Sequence, residues 1–238
     1  MAETRERQPH AILDAQSRVL KARKIIEVVG RDRIADARVL DIGTGAGVMA
    51  SELAKVAREV TGVDVRDQRT TFDGYRFVQV EGTTLPFDDR SFDVVLSNHV
   101  IEHVGERDDQ LRHLREVGRV LADDGVCYLA VPNRWVLLEP HFRLPFLSWI
   151  PRPLRDPYVR LAGKGDFYDC NLPTRRSLER LFAAAGFSHR ELTIDAMRAM
   201  DRIECPTGLT GSILRAPDGL LRLLLPVVPT MIYLLAKR

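Results

Sequence analysis

V-L-D-I-G-T-G-A-G-V-M-A, from Val39 to Ala50, runs from an apolar strand through an acid into three alternating glycines and then a helix. A strand that turns this sharply into a helix makes a nucleotide-binding corner, because glycine lets the backbone bend and a ligand approach where a Cβ would collide. The spacing of Gly43, Gly45 and Gly47 is G-x-G-x-G, with Thr44 and Ala46 between them. A dinucleotide fingerprint needs G-x-G-x-x-G and has no use for a carboxylate two residues before the first glycine. Asp41 repels a pyrophosphate and attracts a ligand whose amino-acid end carries an ammonium group.

Two more strand ends carry acids. The run Val60 to Val63 ends at Asp64, seventeen positions after Gly47 (64 minus 47), where a βαβ unit presents a carboxylate to ribose hydroxyls. Phe77 to Val80 ends at Glu81, followed by Gly82 and Thr83. Three acids at successive strand ends form a row of acceptors along the edge where open α/β sheets bind ligands. S-adenosylmethionine, with ammonium, ribose and adenine in line, spans such a row.

The chain resembles the class I S-adenosylmethionine-dependent methyltransferases. The matching segments are V-L-D-I-G-T-G-A-G at 39–47, V-T-G-V-D-V at 60–65, V-E-G-T-T-L-P-F at 80–87, S-F-D-V-V-L-S-N-H-V-I-E-H-V at 91–104 and R-V-L-A-D-D-G-V at 119–126. The likeness is detailed over residues 35–133 and loose over 174–194. It implies that Asp41, Gly43 and Gly45 hold the methionine end and Asp64 the ribose. It also implies that Val65 covers one face of the adenine, Glu81 meets the adenine amino group and Asn98 lies beside the methionine. Thr44, Gly47 and Gly82 complete the implied cofactor set. Many relatives carry Asp where this chain has Glu81, which lengthens the reach.

The chain has 238 residues, 45% of them hydrophobic, enough to fill the core of one large domain. Thirty-five basic against thirty-three acidic residues leave a net charge of +2, too little for a nucleic-acid footprint. Cys127, Cys170 and Cys205 are odd in number and lack metal-type spacing, which favours a reducing setting. The opening M-A-E-T-R-E-R-Q-P-H is charged and has no apolar signal region, so a cytoplasmic location is expected.

Helical periodicity over 10–29, stopped by Gly30, marks a leading helix. Strands are expected at 38–42, 60–64, 76–80, 92–97 and 126–131, with helices at 46–57 and 108–121. A helix at 175–185 capped by Thr174 and a strand at 187–194 follow. This alternation implies an α/β fold with a mostly parallel sheet and helices on both faces, and the resemblance implies seven strands in a Rossmann-like order. The division expected is a leading helix at 10–30, a cofactor-binding core at 35–133, a lid insertion at 134–172 and a C-terminal part at 173–238.

The insertion is rich in proline and aromatics and follows a strand end on the ligand edge, the place for a substrate lid. Arg134, Arg143, Arg152, Arg155, Arg160 and Lys164 against Glu139 and Asp156 give 134–164 a balance of +4. With Trp135, Phe142, Phe146 and Trp149, this suits an apolar or aromatic acceptor with an anionic group, or contact with a membrane surface, and the substrate expected is a small or lipid-linked molecule. A packed cap whose aromatics are core is the plainer alternative. The tail Leu220–Leu235 is very apolar but is interrupted by Pro226 and Pro229 and contains Arg222, so it reads as a buried tail helix rather than a membrane span.

Methyl transfer to oxygen needs a base, and histidine is the natural one. His99, His103 and His141 are the candidates. His141, two residues after Glu139 in E-P-H-F, is preferred. His103 belongs to an E-H-V segment that recurs in related methyltransferases, including quinone O-methyltransferases, some of which use a metal; a structural role beneath the cofactor is favoured for it. Glu102 and His103 are adjacent on one helix and point apart, so no metal site is expected from them with His99. His113 and His189 read as surface residues, and Tyr168 with Asp169 as a turn that closes the insertion or as a substrate contact.

Overall fold

The computed structural model describes residues 15–238. The helix α1 spans Ala15–Val29, and the part of the expected leading helix before Ala15 lies outside the described residues. A short α2, Arg31–Ala35, leads into β1, Arg38–Ile42. Val39 and Leu40 are both fully buried and point to opposite faces of the sheet, as period-two alternation requires. Val39 packs with Ile25 of α1 on one face, and Leu40 packs with residues of the other core cluster. A strand covered on both sides has no room for polar alternation, which is why β1 reads as a continuous apolar run.

The chain continues through α3 (Val48–Ala54), β2 (Glu59–Asp64), β3 (Arg76–Gln79), β4 (Phe92–Asn98), a 3-10 turn at Ile101–His103, α4 (Arg107–Val120) and β5 (Leu121–Pro132). After the insertion, which holds α5 (Arg152–Leu161), come α6 (Arg175–Ala184), β6 (Phe187–Glu191), α7 (Thr193–Glu204), α8 (Gly208–Leu214), α9 (Asp218–Leu224) and β7 (Thr230–Lys237). The seven strands form one sheet in the order β3-β2-β1-β4-β5-β7-β6. The first five run parallel, and β7 runs antiparallel to both β5 and β6. Order reverses between β1 and β4, and the crevice outside the carboxyl ends of these strands is where such sheets take ligands.

Thr174 caps α6 as expected, its hydroxyl accepting from the Ser177 amide at 3.2 Å. The tail departs from expectation. It is not a helix to its end: α9 stops at Leu224, Pro226 and Pro229 follow, and residues 230–237 pair as β7 between β5 and β6, Cys127 opposite Leu235 and Phe187 opposite Lys237. Met231, Tyr233 and Leu235 are fully buried on one face, while Ile232 and Leu234 pack on the other. The prolines remove helical donors, and the period of two takes over beyond them. The strand expected at 187–194 ends at Glu191, because Thr193 already opens α7. Among the described residues no helix is long and apolar enough to cross a membrane.

The insertion carries a small core of its own, Phe142, Leu144, Leu147, Val159, Cys170 and Leu172. Phe142 is therefore core. Trp135, Phe146 and Trp149 lie on the outside and stack edge to face, with ring centres 5.5 and 5.3 Å apart.

Candidate active site

The corner after β1 is built as its sequence suggests. Gly43, Gly45 and Gly47 all take positive φ, at 75°, 55° and 84°. The three glycines do different work. A Cβ on Gly43 would lie 2.5 Å from the Val100 side chain, and one on Gly47 would lie 2.3 Å from the Thr71 carbonyl. Gly47 therefore serves packing and does not line the cavity, whereas Gly43, Thr44 and Gly45 do. The Thr44 hydroxyl donates to the Asp41 carbonyl at 3.0 Å, folding the turn back on its strand.

A cavity of about 390 Å³ opens at this corner. At one end lie Asp64, Val65, Gly82 and Thr83, and at the other Asn98, His99, His103, His141 and Asp169. The Asp64 carboxylate accepts from the Gly45 amide at 2.9 Å and the Arg66 amide at 3.2 Å, which fixes it at the mouth of β2. Half-exposed Val65 offers a flat apolar surface beside it. Glu81 is exposed and does not line the cavity; Gly82 and Thr83 hold that wall instead.

Asp41 is wholly buried, and neither of its carboxylate oxygens has a hydrogen-bond partner. Burial, with help from the nearby Asp64 charge and against that of Arg18, raises its pKa to about 7. Both side-chain polar atoms of buried Asn98 also lack partners. Asn98 lines the cavity, where a ligand can satisfy it, whereas Asp41 lies beneath the lining.

The insertion contributes Pro140, His141 and Asp169 to the same cavity. Glu139 is fully buried and accepts from the His141 amide at 2.8 Å and the Phe142 amide at 2.7 Å. Its other oxygen lies 2.8 Å from His141 Nδ1 and 3.5 Å from the Tyr168 hydroxyl. A carboxylate on Nδ1 fixes the tautomer and the plane of an imidazole. Burial works against charge on His141, but Glu139, then Glu102 and Asp169, outweigh it and raise the ring above its ordinary range. His103 packs edge-on against His141 with ring centres 4.9 Å apart, and its Nδ1 lies 3.8 Å from Cys170 Sγ.

Glu102, fully buried, faces His99 Nδ1 at 3.5 Å and His141 Nε2 at 3.8 Å, with neither oxygen in a hydrogen bond. His103 turns away from it, as adjacency requires. One ligand atom each from His99, Glu102 and His141 lies within 4.8 Å of the others, and the same holds for His103, His141 and Cys170. These are the places among the described residues where a divalent ion finds three donors, and the lid's His141 is what sequence reading omits from both. His113 is also not the surface residue expected. It is buried, lies 3.1 Å from the Ser97 hydroxyl, and burial lowers its pKa to about 4.

Arg18 and Lys21, unmarked by any motif, reach the cavity from α1. Their spacing of three on the helix, beside buried Ala22 and Ile25, was the available signal. The lid's arginines and lysine do not line the cavity. Arg155 is occupied by the Ser148 and Ile150 carbonyls and Arg152 by Glu106, while Arg143 lines an outer groove.

Residues 5–192 match the family model described as a methyltransferase domain. A Bacillus subtilis methyltransferase is 36% identical over 147 residues, covering 56% of this chain and 54% of that one. The ubiquinone biosynthesis O-methyltransferase of Azorhizobium caulinodans is 28% identical over 200 residues, covering 76% and 71%. The chain spans about half the length of the curated relatives it matches first. The crystal structure of an S-adenosylmethionine-dependent methyltransferase from Mesorhizobium loti superposes with a TM-score of 0.60 at 18% identity, covering 95% of this chain and 99% of that one. With its acid-then-glycine corner on a seven-stranded sheet whose last strand is antiparallel, the chain belongs to the methyltransferase domain family.

Proposed function

We propose that this chain transfers the methyl group of S-adenosylmethionine to a hydroxyl of a small or lipid-like acceptor. The observation that carries the reading is one continuous cavity joining the Asp64 and Gly43 corner to His141 and Asp169. Asp41 and Asn98 supply acceptors and donors for the amino-acid end, and Gly43, Thr44 and Gly45 form the floor. Asp64 takes the ribose hydroxyls, and Val65 with Gly82 borders the adenine. Gly47 supports the turn from behind.

When bound, the cofactor supplies an electrophilic methyl carbon on a sulfonium. Positioning does most of the work in such a displacement. His141 accepts the proton of the acceptor hydroxyl while Glu139 keeps the ring oriented through Nδ1, and His103 braces the ring from its side. A lipid-like acceptor is supported by the outer groove of Leu137, Leu138, Arg143 and Val227, which shares Pro140 with the cavity wall. Half-exposed Leu138 and Phe146 extend that apolar rim, the feature that supports peripheral contact with a membrane surface.

The test is transfer of label from methyl-labelled cofactor to hydroxyl acceptors by the wild-type chain and His141→Ala. The expected result is labelled ether product, with turnover cut about 100- to 10,000-fold in the variant and unchanged affinity for S-adenosylhomocysteine. Wild-type turnover in His141→Ala removes that residue from the chemistry, and the absence of labelled product leaves a binding protein that does not transfer.

A further inference from the structure

Three arginine or lysine side chains line the cavity among the described residues: Arg66 after β2, and Arg18 and Lys21 one turn apart on α1. Arg66 follows Val65 at the nucleoside end. Arg18 lies within electrostatic range of Asp41, at the amino-acid end. The opposite charge within range of Lys21 is Glu102, which lies behind His99 on the acceptor side, and His99 in turn feels the Lys21 charge.

Lys21 has no hydrogen-bond or ion-pair partner among the described residues. Its neighbour one turn on, Lys24, is neutralised by Glu204. Burial first, and then the like charges of Arg18 and Lys24, lower the Lys21 ammonium to about 8. A partly buried cation beside other cations is costly, and a ligand anion relieves that cost. Glu102 cannot do so by contact, since it forms no hydrogen bond and does not reach the cavity surface.

We propose that Lys21 binds an anionic group, a carboxylate or a phosphate, carried by the methyl acceptor. The assignment rests on the reading of this cavity as the cofactor and acceptor site. It moves anion recognition from the lid's arginines, which face elsewhere, to the leading helix. The acceptor is then an apolar-bodied molecule with a hydroxyl at His141 and an acid group directed at α1.

The test uses a small-molecule extract of bacterial cells fractionated on an anion exchanger and assayed with methyl-labelled cofactor. Wild type, Lys21→Met and Lys21→Arg are compared, with thermal unfolding to show that each is folded. S-adenosylhomocysteine and 5′-methylthioadenosine, which lacks the amino-acid end, are titrated calorimetrically in parallel. The expected result is labelled product from the retained fractions. Lys21→Met should raise KM for that acceptor about 10- to 100-fold, the loss of one charge-assisted contact, with kcat and S-adenosylhomocysteine affinity held and Lys21→Arg restoring KM. Activity confined to unretained fractions, or an unchanged KM in Lys21→Met, overturns the proposal. A fall in S-adenosylhomocysteine affinity with 5′-methylthioadenosine unaffected gives Lys21 to the cofactor's carboxylate and overturns it as well. Absence of label in every wild-type fraction counts against methyl transfer itself, and the Lys21 assignment falls with it.

Discussion

The Glu139 carboxylate accepts two backbone amides and still reaches His141 Nδ1 at 2.8 Å, so the ring's position is set by the lid's own backbone. Because that contact, with Glu102 and Asp169, raises His141 above its ordinary pKa against the effect of burial, the ring is charged below neutrality and becomes a base only as pH rises. Turnover is expected to climb with pH through an inflection above 6.5, and Glu139→Gln should move that inflection down while lowering the plateau; pH–rate profiles of the two proteins check this, and an unmoved inflection removes Glu139 from the account. A proton acceptor made of side chains alone also predicts turnover insensitive to chelator; loss of activity after dialysis against chelator, restored by a divalent ion, would give His99, Glu102 and His141 to a metal instead. At this scale the sequence was informative where a residue's neighbours in the chain are its neighbours in space. The places of Gly43, Thr44 and Asp64 on the cavity wall were legible for that reason, since one βα corner and one strand end define them. Arg18, Lys21 and the burial of Glu102 and His113 were not, because each depends on an element packed from far along the chain.

Among the elements, β7 separates what the pattern revealed from what it hid. The first five strands are carried by apolar runs, and sequence reading found each of them, although β5 starts at Leu121 rather than 126. The tail's leucines fit a helix as well as a strand, and only pairing with β5 and β6 decides between them. Since β7 lies between those two, removing residues 230–238 strands β6 at a distance from the sheet and exposes the cluster around Phe182. Truncation is expected to abolish cooperative unfolding, followed by circular dichroism on heating; a sharp transition in the truncated chain would show that the sheet closes without it. Within the same cluster, Phe182→Ala should cost about 3 to 5 kcal/mol in denaturant unfolding, since its fully buried ring packs against Tyr233 at 5.2 Å. The insertion, by contrast, has its own small core, so its outer aromatics Trp135 and Trp149 should tolerate substitution with little loss of stability.

For the whole molecule, a chain of net charge +2 sets Asn98 on the wall of the cavity and Asp41 just beneath it, neither with a hydrogen-bond partner among the described residues. Buried acids without partners lower stability, and proteins retain such groups where a ligand uses them. Asp41 is the pivot of the account, which reads it as the acceptor for a ligand's ammonium group. Raised to about 7 by burial, it should be drawn back down by a bound ammonium, so cofactor affinity should fall as pH drops below 7. The most direct test is a calorimetric titration of the chain with S-adenosylhomocysteine and with NAD at pH 7.5, repeated with Asp41→Asn. The account predicts one S-adenosylhomocysteine bound per chain, no binding of NAD, and a loss in Asp41→Asn of about 1.5 to 3 kcal/mol. Binding of NAD in place of S-adenosylhomocysteine, or equal affinity in Asp41→Asn, would contradict it.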